Sequence, residues 1–131
     1  MRLLLDTQIL IWAVEDDPRL RPAFRDAIAD PDNECWVSVA AWWEVGIKAN
    51  SGRLDLMRPL PEYASEAVEA LGLVELPVLR PHVIRATQLP LLHRDPFDRM
   101  LIGQALEEEM VLVTTDRQIR AYDCEFLNET A

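Results

Sequence analysis

Short apolar runs alternate along the chain with longer segments of helical character. The apolar runs cover residues 3–5, 35–37, 73–76 and 110–113, with a weaker candidate at 124–127. The segments of helical character cover residues 9–14, 22–29, 39–51, 61–71, 81–88 and 96–106, with a short one at 117–121. This alternation predicts an α/β fold with a mostly parallel central sheet and helices on both faces. Leu3–Leu5, apolar at every position, supports this because a sheet covered on both sides has no face in water.

The pattern also predicts one domain and places the helix ends. No repeat, low-complexity tract or linker interrupts it, and 131 residues fit a single domain over residues 1–131. Ser38 is well placed to cap the helix at 39–51, which Gly52 should end. Asp95 followed by Pro96 is a strong helix start, with Asp as the cap and Pro at the first helical position.

The charge balance is acidic, with 23 Asp and Glu residues against 13 Lys and Arg residues and a net charge of −10. A general nucleic-acid-binding protein would instead show a basic surface. An enzyme that gathers carboxylates in one place is compatible with this balance. A site of four acids would account for four of the ten excess negative charges.

The length of the apolar stretches and the small number of cysteines bear on the cellular compartment of the protein. No stretch approaches the ~20 residues of a membrane span, and the chain reaches Asp6 before a signal-peptide core could form. We therefore expect a cytoplasmic protein without a membrane partner. The two cysteines, Cys35 and Cys124, are expected to be reduced thiols that serve as small apolar residues.

Two aspartates occupy equivalent positions at the ends of predicted strands. Asp6 directly follows Leu3–Leu5, and Asp116 follows the run that ends at Thr115, while Thr7 stands beside Asp6. Sites in open α/β sheets lie beyond the carboxyl ends of the strands, so both carboxylates should reach the same edge. Alternatively, each Asp caps the helix that follows it. Two acids in equivalent positions favour a shared site.

Asp98 is a third candidate for this edge of the sheet. It shares a helix face with Leu101 and Ile102, so it should point inward, where an ionised carboxylate needs a partner. Its alternative role is the third-position acid of a helix cap. Because Asp95 is the better cap, we assign the chemistry to Asp98.

Glu44 is the fourth candidate. It lies in the helix after the second predicted strand, flanked by Ala40, Ala41 and Ile47. The alternative is a surface ion pair with Lys48, four residues further along. Both roles are compatible if Lys48 lies at the rim of the site.

Several carboxylates in one pocket need a counterion. Two of them ~4 Å apart repel by on the order of 4 kcal/mol at an effective dielectric constant of 20, so they must bind protons or a cation. All-oxygen ligation favours Mg²⁺ or Mn²⁺ over zinc. Such an ion activates water and stabilises a phosphate oxygen, which points to phosphodiester hydrolysis.

Four ordered motifs in this sequence resemble those of PIN-domain ribonucleases of the VapC toxin type. They span essentially the whole chain, and the ordered set is far more specific than any one motif. The motifs are Leu3-Leu4-Leu5-Asp6-Thr7, residues 38–48 (SVAAWWEVGIK), residues 89–102 (LPLLHRDPFDRMLI) and Leu112-Val113-Thr114-Thr115-Asp116.

The resemblance implies a single PIN-like nuclease domain that cuts RNA as a metal-dependent endoribonuclease. Its acidic quartet would be Asp6, Glu44, Asp98 and Asp116, holding Mg²⁺ or Mn²⁺. It also implies a homodimer, inhibited by a cognate VapB-type antitoxin protein, as the toxin of a type II toxin–antitoxin system.

Two positions depart from the family pattern. Gln8 stands where relatives often have His or another small polar residue, and it could alter how substrate or water is held. Gly103 stands where Ala is usual. Within a helix, Gly103 should cost about 1 kcal/mol relative to Ala.

Basic and aromatic residues near the motifs have two interpretations each. His93, Arg94 and Arg99 would contact phosphate near the mouth of the site, or belong to a solvated face. Thr7 and Thr115 are the hydroxyl neighbours of the acids. Adjacent Trp42 and Trp43 cannot both face the core of one helix, so at least one should reach an edge. The tryptophans either pack in the core or form an apolar interface for a dimer partner or antitoxin.

Other function classes fit less well. A signalling receiver domain needs a late Lys, and none follows Lys48; a hydrolase with an aspartyl nucleophile would need an acid where Gln8 stands. The alternative that we keep is a catalytically silent PIN-fold binding module that acts in a protein or RNA complex. The presence of all four acids argues against it.

Overall fold

Four parallel strands form the central sheet. The computed structural model describes residues 1–130. The strands follow the order β3-β2-β1-β4, and each neighbouring pair is parallel. The predicted α/β fold with a parallel sheet is therefore confirmed. The strands are β1 (Arg2–Leu5), β2 (Glu34–Ser38), β3 (Val74–Leu76) and β4 (Val111–Val113).

Helices cover both faces of this sheet. Side chains alternate along a strand, so Leu3 and Leu5 join a core cluster with Phe24 on one face, while Leu4 joins a cluster with Ile102 on the other. The helices within residues 1–130 are α1 (Thr7–Val14), α2 (Pro22–Ala29), α3 (Val39–Asn50), α4 (Leu60–Leu71), α5 (Arg80–Gln88) and α6 (Pro96–Glu108). None of these helices combines the length and the apolar character needed to cross a membrane.

The predicted helix ends agree with the structure. The Ser38 hydroxyl accepts a hydrogen bond from the Ala40 N–H at 3.1 Å, and the Asp95 carboxylate accepts one from the Phe97 N–H at 2.9 Å. Both caps satisfy N–H groups that have no partner within their helix. The two described cysteines are free thiols, as expected.

Two elements predicted near the end of the chain are wrong. Residues 117–121 form turns, not a helix, because a single i to i+4 bond, from the Arg120 N–H to the Asp116 carbonyl, does not nucleate one. The strand predicted at 124–127 is reduced to one bridge between Leu112 and Phe126. Strand β4 has only three residues and offers little edge for pairing.

Gly103 allows α5 and α6 to pack closely. A Cβ atom added there would lie 2.9 Å from the backbone nitrogen of Ala86 and 2.9 Å from the carbonyl oxygen of His82. These are backbone atoms, so α5 would have to shift to make room. The departure from Ala at this position therefore has a packing reason that outweighs helix propensity.

Gly103→Ala is expected to destabilise the protein by up to about 2 kcal/mol. Overpacking against the α5 backbone should cost about 1–3 kcal/mol, of which about 1 kcal/mol is recovered through helix propensity. Urea unfolding measures the change. Gly46→Ala in α3 is the matched control, since its Cβ would meet only the flexible end of Leu60 at 3.1 Å. A Gly103→Ala protein as stable as the Gly46→Ala protein would contradict the packing argument.

Candidate active site

A cavity of about 350 Å³ opens at the carboxyl ends of β1 and β4, and all four predicted carboxylates line it. They come from the end of β1, from α3, from the start of α6 and from the segment after β4. The four acids therefore come together at this edge of the sheet, as expected. The lining residues are Asp6, Thr7, Gln8, Glu44, Lys48, Asp95, Asp98, Thr115, Asp116 and Ile119.

Asp6 is the most buried of these acids, with 5% of its surface exposed. One carboxylate oxygen accepts a hydrogen bond from the Ile9 N–H at 2.7 Å, so Asp6 also caps α1. Its other oxygen accepts a hydrogen bond from the Thr114 hydroxyl. Burial raises the pKa of Asp6 to about 7, with smaller contributions from the charges of Asp98 and Asp116. A capping role and a place in the acidic cavity therefore coexist.

Thr114 is a site residue that the sequence analysis missed. Its fully buried hydroxyl donates to Asp6 and accepts a hydrogen bond from the Asp116 N–H at 3.0 Å, so it links two of the acids. Thr115, the expected hydroxyl neighbour, lines the cavity but does not form this link. The strand register explains this contact. Leu5 pairs with Val113, so the residues that follow the two strands, Asp6 and Thr114, lie side by side.

Glu44 is held from two sides. Its Oε1 accepts a hydrogen bond from the Thr7 hydroxyl at 2.6 Å, and its Oε2 lies 3.1 Å from the Lys48 ammonium nitrogen. Lys48 lines the same cavity. The ion pair considered as an alternative is thus present, and it lies within the cavity that the acids form.

Asp98 contacts His93 inside the cavity region. The His93 Nε2 atom lies 2.7 Å from Asp98 Oδ2, and ligand atoms of His93, Asp98 and Asp116 all lie within 4.8 Å of one another. Burial raises the pKa of Asp98 to about 6, with Asp95 and Glu44 adding to the shift and the His93 hydrogen bond opposing it. Among the described residues, these three side chains form the compact group that could hold a metal ion, and Asp6 and Glu44 line the same cavity outside that group.

Arg99 binds the backbone of the segment that leads to His93. Its guanidinium donates hydrogen bonds to backbone carbonyls, including those of Ala86 at 3.0 Å, Leu89 at 3.1 Å and Pro90 at 3.0 Å. These bonds hold the segment that carries His93, so Arg99 supports the site through that segment, and its contact with phosphate stays a prediction. Arg94 is exposed, and its phosphate contact stays a prediction.

The metal-free protein is expected to lose stability as the pH rises from about 4 to about 7. The folded protein keeps a proton on Asp6 up to a pKa of about 7, whereas the unfolded chain releases it near 3.8, so stability falls across this window. The shift corresponds to about 4 kcal/mol, and Asp98 acts in the same direction. The lowered pKa values of Asp17 and Glu129 have the opposite effect, because they make stability fall as the pH drops, and they act at the acidic side of this window.

Thermal melts in EDTA at a series of pH values measure this loss. Adding Mg²⁺ should raise the melting temperature most at the alkaline end, where the acids are ionised and ready to bind it. The Asp6→Asn protein is the control and should show a flatter profile. A melting temperature that rises steadily across the window in EDTA would contradict the prediction.

The chain is similar to known proteins over nearly its whole length. A family model described as PIN domain matches residues 3–124. Ribonuclease VapC22 of Mycobacterium tuberculosis is 29% identical over 122 residues, which cover 92% of this chain and 91% of the relative.

Solved structures share the fold at low identity. VapBC2 from Rickettsia felis, bound to a DNA fragment from its promoter, has a TM-score of 0.71 and 15% identity, covering 98% of both chains. VapBC-1 from nontypeable Haemophilus influenzae has a TM-score of 0.67 and 18% identity, covering 100% of both chains. At such identities the likeness establishes the fold alone. Because the family model covers most of the sequence and the fold agrees with it, the chain belongs to the PIN-domain family.

Proposed function

We propose that this protein is a divalent-metal-dependent endoribonuclease that hydrolyses RNA phosphodiester bonds as the toxin of a type II toxin–antitoxin system. The observation that carries the proposal is the convergence of Asp6, Glu44, Asp98 and Asp116 on one cavity. Membership of the PIN-domain family and the similarity to a relative named as a ribonuclease support it.

The donor set fits a hard divalent cation. Carboxylate oxygens dominate the cavity, and the raised pKa values of Asp6 and Asp98 mean that these acids take up protons more readily than free carboxyl groups when no cation is bound. We assign the four acids as the residues that would hold Mg²⁺ or Mn²⁺, with His93 beside them. When bound, such an ion lowers the pKa of water and stabilises negative charge on a phosphate oxygen.

The protein's own residues position these acids in advance. A buried threonine hydroxyl and a backbone N–H hold Asp6, a threonine and a lysine hold Glu44, and a histidine holds Asp98. Fixing the carboxylates during folding lowers the entropy lost on binding. Lys48 lines the cavity and, through its ion pair, fixes the position of Glu44.

A cleavage assay tests the proposal. The purified protein should cut single-stranded RNA with Mg²⁺ or Mn²⁺ and should be inactive in EDTA. Internal cuts would identify an endonuclease, whereas stepwise shortening from one end would identify an exonuclease and contradict the proposal. A protein that binds the metal but cuts no RNA would support the alternative of a catalytically silent PIN-fold binding module.

We extend the proposal to partners. Two solved structures similar to this chain carry the names VapBC2 and VapBC-1, and a third is described as a toxin–antitoxin complex from Klebsiella pneumoniae. We therefore expect a VapB-type antitoxin and a homodimer. Co-expression with the product of the gene immediately upstream, followed by size-exclusion chromatography and a growth assay, tests both. Harmless expression of an active nuclease that forms no complex would instead identify a housekeeping enzyme.

A further inference from the structure

An aromatic pair, Trp43 and Phe97, lies beside the acidic residues Glu44 and Asp98. Trp43 on α3 is 68% exposed. Its ring meets that of Phe97 on α6 with the centroids 5.2 Å apart and the planes at 76°. A T-shaped contact fixes the indole while using at most one of its faces. The pair is therefore held in place, yet much of Trp43 remains open to solvent.

The position of this pair connects it to the candidate active site. Trp43 directly precedes Glu44, and Phe97 directly precedes Asp98. Phe97 also lines a narrow cleft together with both of these acids. The aromatic pair and the acidic cavity are thus neighbours across the α3–α6 junction.

We propose that Trp43, braced by Phe97, is a stacking subsite for an unpaired base of the RNA, next to the phosphate that is cut. This inference rests on the proposed nuclease function. Indole rings stack on any of the four bases, because each base has a π face, so the subsite favours single-stranded RNA without reading its sequence.

The charge of the protein favours a base as the occupant. At a net charge of −10, long-range attraction of phosphates is weak, whereas proteins that bind RNA through phosphates depend on a basic surface. Lys48, the cationic residue that lines the cavity within residues 1–130, is already paired with Glu44. An uncharged stacking contact supplies affinity that neither salt nor net charge cancels.

Trp43 projects furthest among the apolar side chains on this face of α3. Val39 and Ile47, one turn to either side, are also exposed, each at 37% against 68% for Trp43. A single base needs only the projecting ring, whereas a protein partner would have to cover all three side chains. The oligomeric state of a Trp43 variant therefore separates the two occupants.

A binding experiment tests the subsite without depending on cleavage. In the cleavage-silent Asp98→Asn background, adding Trp43→Ala should weaken binding of oligouridylate about 5- to 150-fold by fluorescence anisotropy. Binding of the matching ribose-phosphate strand without bases should be unchanged. Trp43→Phe should retain most of the affinity. An equal loss on both strands, or no loss on either, would overturn the proposal.

Two further measurements separate the possible failures. Met57→Ala removes an 85% exposed apolar side chain elsewhere and should leave oligouridylate binding unchanged; a loss as large as that of Trp43→Ala would overturn the subsite. If Trp43→Ala changes the oligomeric state while RNA affinity stays the same, the surface is a protein interface and the proposal fails. If the wild-type protein cuts no RNA but the base-dependent loss is observed, the nuclease function fails and the stacking subsite stands.

Discussion

Asp98→Asn is expected to reduce RNA cleavage by at least ~100-fold while raising the melting temperature of the metal-free protein by a few degrees. The substitution removes one negative charge from the acidic cavity and keeps the shape of the side chain. Its oxygen can still accept a hydrogen bond from His93, which now lies 2.7 Å from Asp98. The protein should therefore keep its fold and lose its chemistry.

The stability gain follows from the pKa of Asp98. Above pH 7 the folded protein must hold this carboxylate ionised, although its pKa is raised to about 6 from 3.8. Removing that ionisation should stabilise the folded state by about 1–2 kcal/mol, which corresponds to several degrees for a domain of this size. The gain should disappear when Mg²⁺ is present, because the wild-type protein is then stabilised by the ion.

Thermal melts at pH 8 with EDTA or Mg²⁺, beside a cleavage assay, measure both effects. Asp6→Asn provides a comparison within the same cavity. It also removes a charge, but its amide would face the Thr114 hydroxyl, which donates to Asp6 and accepts from the Asp116 N–H. We expect a smaller gain in stability and the same loss of cleavage. Full activity in either variant would remove that residue from the mechanism.

Tyr122→Phe is expected to destabilise the protein by about 2–3 kcal/mol and to lower cleavage. The buried Tyr122 hydroxyl accepts hydrogen bonds from the N–H groups of Leu92 at 3.1 Å and His93 at 2.9 Å. It also donates to the Pro90 carbonyl at 2.7 Å. Without the hydroxyl, several donors lose their acceptor, and the segment that presents His93 to Asp98 loosens.

Tyr63→Phe is the matched control for this prediction. Within residues 1–130, the Tyr63 hydroxyl is buried without a hydrogen-bond partner, so its removal should be neutral or stabilising. Urea unfolding and kcat/KM are measured for both variants. If Tyr122→Phe and Tyr63→Phe behave alike, the Tyr122 hydroxyl does not organise this segment.

The sequence predicted the parts of the site that depend on local pattern. Asp6 and Asp116 follow apolar runs, and the carboxyl ends of parallel strands share one edge, so their approach could be inferred. Asp98 could be placed from helical spacing. The parallel sheet and its helices also follow from short-range patterns, and the structure confirms them.

What the sequence did not predict depends on contacts between distant residues. Tyr122 bonds to Pro90 across 32 positions, and no periodicity signals such a pair. The sequence shows only the positive charge of Arg99, which suggested a contact with phosphate. Its bonds to backbone carbonyls depend on how the segment around Pro90 folds. The close approach at Gly103 likewise needs the relative position of α5 and α6.

The pairing of β1 with β4 has a consequence for how the protein is made. Asp6 leaves the ribosome well before its hydroxyl partner, Thr114, which follows 108 positions later. A nascent chain that has not reached β4 also lacks Asp116, so the acidic cavity cannot assemble on it. Strand order thus delays the acidic cavity until β4 and Asp116 have been made, and a chain that stops between Asp98 and Asp116 carries three of the four acids without the fourth.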